Sequence, residues 1–289
     1  MSKSIPITRH QGLDALELVA PDGARATLTL HGAQVLSWAP AGVGEQLYLS
    51  PRSAYVSGQA IRGGVPICFP QFAARGPLLK HGFARTRPWQ LISAEQGSED
   101  ALAVLRLVDD TATRLAWPQA FEAELSVRVS GAVLEIELAC ENRGDAPFTF
   151  TAALHSYFSV SELGNCTLQG LEGLEYEDSA AGGSLHRQRE MLLLPDARGL
   201  DRIYRGVGQT GEREIVLTDD VRKLAIAQQG FEDAVVWNPG EAGCAQLADM
   251  PADGWQRMLC VEAATVARPV LLAPGESWVG LQTVTRRDL

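Results

Sequence analysis

Along much of the chain apolar and polar residues alternate one for one. In "FEAELSVRVSGAVLEIELACEN", residues 121–142, Phe121, Ala123, Leu125, Val127 and Val129 share one face, while Glu122, Glu124, Ser126 and Arg128 share the other. After Ser130-Gly131 the alternation resumes, with Leu134, Ile136, Leu138 and Cys140 set against Glu135 and Glu137. Two period-two runs around a short glycine-containing turn predict an antiparallel hairpin with one buried and one wet face. "ARATLTLHGAQVLSW" (24–38) shows the same habit, and so does "REIVLTDDVRKLAIAQQG" (213–230), which predicts a turn at Asp219-Asp220. Few segments carry a 3.6-residue apolar stripe over three turns. Closely spaced strands punctuated by Gly, Pro and Asp predict an all-β protein, a large antiparallel β-sandwich. No Pro/Ser-rich linker, internal repeat or low-complexity tract divides the chain, so residues 1–289 read as a single domain.

Composition narrows the function. An apolar fraction of 46% is ample for a sizeable core. A formal net charge of −10 argues against a general nucleic-acid or anionic-membrane binder. The N-terminal residues lack the apolar core of a signal peptide, and no apolar run approaches the ~18 residues needed to span a bilayer. The five cysteines (Cys68, Cys140, Cys166, Cys244 and Cys260) form no CxxC pair. Buried free thiols in a reducing cytoplasm are the expected state, and a structural zinc site is not expected.

Against this acidic background, residues 46–94 contain no Asp or Glu, yet carry Arg52, Arg62, Arg75, Lys80, Arg85 and Arg87. The guanidinium fork matches phosphate oxygens. Gly63-Gly64 beside Arg62 would let backbone approach a ligand or form an anion-binding concavity. Solvated charges that pair with acids elsewhere are the plainer reading, and it suits Arg75 and Arg87. It suits Arg62 and Arg85 less, since glycine and aromatic residues flank them.

Two histidines stand in comparable settings. In "FTFTAALHSYF" (148–158), Phe148, Phe150, Ala152, Leu154 and Ser156 occupy one face of a predicted strand. Thr149, Thr151, Ala153, His155 and Tyr157 occupy the other, a small and polar face that suits a cleft. His81 lies in "KHGFAR". Taken singly, each histidine reads first as a satisfied structural residue, and His10, His31 and His186 remain so. Glu262 interrupts the apolar run "MLCVEAATV" on the face of Met258 and Cys260. A buried carboxylate must be paired, hydrogen-bonded or shifted in pKa. It is therefore either the structural partner of an arginine or a general base. Asp201, in "GLDRIYRG", is a turn residue or a ligand contact.

The motifs "LHGAQVLSW", "AIRGGVPICFPQF", "KHGFAR", "ALHSYF", "LDRIY", "VVWNPG" and "MLCVEAA" occur in this order from about His31 to Val284. With them the chain resembles the aldose 1-epimerase superfamily, in its hexose-6-phosphate mutarotase branch. The pairing of "IRGGVP" with "HGFAR" is the more specific part. The resemblance implies a galactose-mutarotase-like β-sandwich that interconverts the α and β anomers of glucose 6-phosphate. His155 would then be the general acid and Glu262 the general base. His81 and Asp201 would hold sugar hydroxyls and the ring region, and Arg62 and Arg85 the phosphate. No cofactor or metal is implied, and the partner is a small sugar phosphate, with no nucleic acid and no membrane. Oligomeric state is open, with a monomer the default, and the expected location is the cytoplasm. The segment "FAARGPLLKH" (72–81) departs from the family pattern: it is short, it lacks the proline often found before His-Gly-Phe, and Arg75 and Lys80 in it have no certain counterpart.

Three rival readings stay in view. A mutarotase of unphosphorylated aldoses would share the chemistry. A glycoside hydrolase would need two carboxylates flanking the bond, and only Asp201 offers itself beside Glu262. A non-catalytic sugar-phosphate-binding protein on the same fold would have no use for a proton-transfer pair.

Overall fold

The predicted hairpin forms: Phe121–Ser130 pairs with Val133–Asn142, Leu125 facing Leu138 and Val127 facing Ile136. Its odd positions before the turn and even positions after it are buried. The computed structural model describes residues 2–194, 197–209 and 213–289, except for the side chain of Leu193. Among these residues the hairpin lies within a ten-stranded sheet with antiparallel ladders. The strand Ser277–Arg287 follows Val133–Asn142, and Lys223–Gln229 and Glu214–Thr218 come next, joined at the expected turn by Asp219–Arg222. Ala101–Val108 and Gln90–Gln96 flank the other side.

An eight-stranded sheet packs against it. Its path runs Ser184–Arg187, Glu175–Asp178, Leu200–Tyr204, Asp233–Asn238, Met258–Leu272, Phe148–Leu154 and Ile67–Cys68, and Tyr157–Ser159 also pairs with Met258–Leu272. A four-stranded sheet, from Thr8–His10 to Val35–Ala39, adds Leu16, Leu28 and Trp38 to the core. The only α-helices among the described residues are the short Thr111–Ala116 and Gly240–Cys244. Among the described residues no helix is long and apolar enough to cross a membrane. All five cysteines are buried and free.

The two faces of the eight-stranded sheet differ in kind. Toward the other sheet go Phe148, Phe150, Ala152, Leu154, Leu259, Val261 and Ala263, in the main core with Leu125, Val127 and Leu138. There the Phe69 ring meets those of Phe121 and Phe150, with centroids 5.4 and 5.3 Å away. The opposite face carries smaller clusters, Cys68, Ala153, Val235 and Ala264 in one and Tyr157, Met258 and Cys260 in the other. Burying each large apolar side chain contributes roughly 1.5–3 kcal/mol. A slip of one residue would turn Phe150, Leu154 and Val261 out of the core together, so packing holds the register firmly.

Candidate active site

That register brings His155 to Glu262. Leu154 pairs with Ala263 and Tyr157 with Cys260, so the positions between them set His155 opposite Glu262 across two antiparallel segments. Ser156 turns inward instead, and its hydroxyl bonds the buried Gln282 side chain of the facing sheet. His155 Nδ1 lies 3.4 Å from Glu262 Oε1, with both side chains buried. The imidazole is held from the sides: Tyr157 stacks on it at 4.9 Å and 12°, and Trp237 meets it edge-on at 5.7 Å.

All six residues singled out from the sequence, Arg62, His81, Arg85, His155, Asp201 and Glu262, line one cleft over this floor. Its volume, about 250 Å³, sits just under the roughly 300–1,000 Å³ of small-molecule sites. Asp201 enters from the neighbouring strand, where its register partner is Trp237. Trp237, Phe72, Ser179 and Leu247 complete much of the wall. Trp237 stands in the quoted "VVWNPG", but nothing local marks it as facing the cleft. Ser179 and Leu247 have no sequence signal at all.

Burial dominates the electrostatics of the floor. It raises the Glu262 carboxyl well above its ordinary range, with the nearby Asp201 charge adding to the effect and Arg85 and Lys80 opposing it. Burial lowers the His155 imidazole well below its usual value, and His81, Arg85 and Arg62 push the same way. Both directions favour the uncharged form of the pair. Asp201 is also raised, chiefly by burial.

His81 is fixed as a donor. Its Nδ1 accepts the Ala73 backbone N–H at 3.3 Å and lies 3.0 Å from Cys68 Sγ. A backbone amide can only donate, so Nδ1 carries the lone pair and Nε2 the proton. Burial, and then Arg85 and Lys80, hold the ring's pKa down to about 3, so it stays neutral at physiological pH. The surrounding loop is braced by Gln71, which donates to the Ala73 and Leu78 carbonyls and accepts from the Leu78 N–H. Within that brace His81 itself has φ +68, a left-handed conformation that is strained for a residue with a Cβ.

The cations divide into two groups. Arg75 pairs with Glu177 and Arg87 with Asp110, as the plainer reading of both predicted, although Arg75 also reaches the cleft. Arg62 differs from expectation in having an acid partner: Nε and Nη2 lie 3.2 and 3.1 Å from Asp249 Oδ2. Its Nη1 donates to the Tyr157 hydroxyl at 3.0 Å. Burial works against this charge, but Tyr157 and Asp249 outweigh it and hold the guanidinium protonated. Arg62 therefore supports the ring that stacks on His155 while facing the cleft. Arg85 donates to the Lys80 carbonyl, and among the described residues neither Arg85 nor Lys80 has a carboxylate within ion-pair distance.

Gly63 and Gly64 serve close backbone packing. Both have positive φ, and a Cβ at either would meet backbone, 2.4 Å from the Tyr48 carbonyl oxygen or 2.1 Å from that of Val35. They are needed where this segment crosses its neighbours.

Comparison with known proteins gives the chain its family and its fold. The family model for aldose 1-epimerase matches residues 14–285. An Escherichia coli (strain K12) protein named "Putative glucose-6-phosphate 1-epimerase" is 35% identical over 266 residues, which cover 90% of this chain and 86% of that one. A Cenchrus ciliaris protein of the same name is 34% identical over 279 residues, 92% of this chain and 83% of its own. The crystal structure of a "putative mutarotase" from Salmonella typhimurium superposes with a TM-score of 0.88 at 30% identity, covering 99% of this chain and 94% of that one. A galactose mutarotase-like protein from Clostridium acetobutylicum shares the fold at a TM-score of 0.77 and 14% identity, covering 99% and 98%.

Proposed function

The chain belongs to the aldose 1-epimerase family, and from that premise we propose that it interconverts the α and β anomers of a hexose 6-phosphate, glucose 6-phosphate first. The observation that carries this reading is the His155–Glu262 pair, 3.4 Å apart on the floor of a small cleft whose rim holds Lys80 and Arg85 without carboxylate partners. Two unpaired cations match the charge of one phosphate dianion. Arg62, partly neutralised by Asp249, would contribute its remaining N–H groups and its hold on Tyr157.

The proposed chemistry needs a single proton on the pair. Glu262 as carboxylate takes the proton of the C1 hydroxyl while His155 as imidazolium protonates the ring oxygen, and the pyranose opens. The pair is then neutral, the form that burial favours. After the aldehyde turns about C1–C2, Glu262 returns its proton to the carbonyl oxygen and His155 recovers one from the chain hydroxyl. Desolvation thus favours the pair as it stands after ring opening over the carboxylate–imidazolium form that begins the step. His81, a permanent Nε2–H donor, suits an oxygen that only accepts, and Asp201 suits hydroxyls. The same reading takes residues 1–289 as one domain.

Exchange between the anomers of glucose 6-phosphate, measured by NMR against galactose and free glucose, tests the proposal. Catalysed exchange of the phosphate ester and weak exchange of the free sugars is expected; equal rates on all three would refute the phosphate assignment. One observation keeps the hydrolase reading alive: Asp201 does share the cleft with Glu262, as two-carboxylate cleavage requires. Release of the aryl group from aryl glycosides would favour it, and no release is expected.

A further inference from the structure

Beneath the floor of the cleft, fully buried, lies one group that the epimerase chemistry does not use. Cys260 precedes Glu262 by two positions on the same strand face, across from Tyr157. One ligand atom each from His155, Cys260 and Glu262 lies within 4.8 Å of the other two, and all three residues are buried. Although His155 Nδ1 and Glu262 Oε1 stand 3.4 Å apart, among the described residues Nδ1 makes no hydrogen bond, and neither does Glu262 Oε2. Leaving a buried polar atom unmatched costs about 1–3 kcal/mol. Imidazole nitrogen, thiolate sulfur and carboxylate oxygen each offer an electron pair once the thiol and carboxyl protons leave to solvent, so one electron-pair acceptor could displace those protons and satisfy all three.

The distances suit such an acceptor. Zinc takes nitrogen at about 2.0–2.1 Å, carboxylate oxygen at about 2.0–2.2 Å and sulfur at about 2.3 Å. Tetrahedral angles then put neighbouring ligand atoms roughly 3.3–3.7 Å apart. The His155–Glu262 separation already has this value. The Cys260 sulfur would have to close by about 1 Å at most. Three protein ligands with the fourth position open is the pattern of an accessible zinc site, and here the open position would face the cleft that His155 and Glu262 line. The donor set also excludes hard cations. Magnesium and calcium require about six or more oxygens, and one carboxylate beside a thiol does not supply them.

We propose that His155, Cys260 and Glu262 form a three-ligand site for a thiophilic divalent cation, zinc before others, and that a cation seated there stops anomer exchange by occupying both proton-carrying groups. The ligand geometry stands independently of the epimerase reading, so binding and inhibition are tested separately.

The binding test uses the full chain, stripped of metal with a chelator and kept reduced with a non-chelating phosphine, and titrated with Co²⁺. One equivalent should produce the visible spectrum of tetrahedral cobalt together with a thiolate-to-cobalt charge-transfer band, and zinc should bleach both. Cys260→Ser and Cys260→Ala should lose the charge-transfer band. If either folds poorly by circular dichroism, Glu262→Gln, which keeps side-chain volume, should weaken cobalt binding instead. In the exchange assay zinc should inhibit reversibly, with recovery on EDTA and no effect of magnesium at the same concentration. The Cys260 variants, whose basal exchange should be intact, should need about 10–100-fold more zinc, the loss seen even for outer-shell partners of metal ligands. A wild-type spectrum without the thiolate band, or a band that persists in both Cys260 variants, overturns the site. Cobalt binding without zinc inhibition overturns the inhibitory role alone. Absence of any exchange activity would count against the epimerase reading and leave the cobalt result to decide the site.

Discussion

Replacing Glu262 by glutamine separates its chemistry from its packing. The two side chains have nearly the same volume, and Glu262 is 1% exposed, so the amide enters a space already shaped for it. Little else is lost: Oε2 has no hydrogen-bond partner, and the contact with His155 is the one ion pair the carboxylate makes among the described residues. What disappears is the ability to accept a proton. General-base catalysis supplies about 10²–10⁴-fold, which at 1.36 kcal/mol per factor of ten is roughly 3–5 kcal/mol of transition-state stabilisation. Anomer exchange of glucose 6-phosphate, followed by magnetisation transfer between the two C1 protons, should therefore slow by about 10²–10⁴-fold. The affinity for the sugar phosphate, read by calorimetry, should change by less than about tenfold, because the phosphate-facing cations are untouched. A variant that exchanges at the wild-type rate would remove Glu262 from the reaction. Equal losses in binding and in rate would make it a structural residue.

The same substitution carries a thermodynamic signature. Burial holds the Glu262 carboxyl above its ordinary value of 4.5. The unfolded chain therefore releases that proton at lower pH than the folded protein, and this group makes stability fall as pH rises past about 4.5. Glutamine does not ionise. Glu262→Gln should thus gain stability relative to wild type as pH rises above about 4.5 in denaturant titrations. A variant whose relative stability declines over that range would mean the carboxylate is stabilised in the folded state, contrary to its desolvated setting.

The phosphate contacts, the acid limb and the ring support can each be probed. Arg85→Ala sacrifices only the bond to the Lys80 carbonyl, and should weaken glucose 6-phosphate binding by about 10–100-fold, the equivalent of one charge-assisted hydrogen bond, while leaving weak glucose binding unchanged; equal effects on both ligands would refute the phosphate role. Arg62→Ala should do the same and also lower the exchange rate, since it removes the bond to Tyr157; a pure affinity loss would show that the Arg62–Tyr157 contact does not support His155. His81 has its pKa depressed from 6.5 to about 3, so the unfolded chain takes up this proton first and stability should be lost as pH falls from about 6.5 toward 3, at up to roughly 1.4 kcal/mol per pH unit. His81→Asn should flatten that limb, and an unchanged acid profile would contradict the desolvated, neutral imidazole. Tyr157→Phe keeps the ring against His155 but drops the hydroxyl, and should cost rate more than affinity; the reverse split would mean that the hydroxyl serves the substrate directly.

Local pattern and long-range pairing were unequally visible before the fold was known. One-for-one alternation foretold the Phe121–Ser130/Val133–Asn142 hairpin and the two faces of Phe148–Leu154, because half-buried strands must alternate. Glu262 stood out because a carboxylate inside an apolar run conflicts with burial. The pairing of Arg62 with Asp249, 187 positions away, leaves no local trace, and "DMPADG" around Asp249 reads as an ordinary loop. The convergence of six residues on one cleft is likewise a property of strand order. Gly63-Gly64 carries more than one meaning in sequence: glycine is required wherever two backbones nearly touch, and a ligand is only one such neighbour. The family resemblance supplied the link between His155 and Glu262 that periodicity alone could not.

Because His155 and Glu262 are neighbours across a pleat, the distance between them is a property of the scaffold itself, while Lys80, Arg75 and Ser179 reach the cleft from connecting segments. Reactivity and substrate choice are thereby inherited from separate parts of the polypeptide. Exchanging the 73–80 connection for that of another sugar enzyme should retune which ligand enters without disturbing the proton chemistry beneath it. A scaffold divided in this way invites diversification by loop grafting.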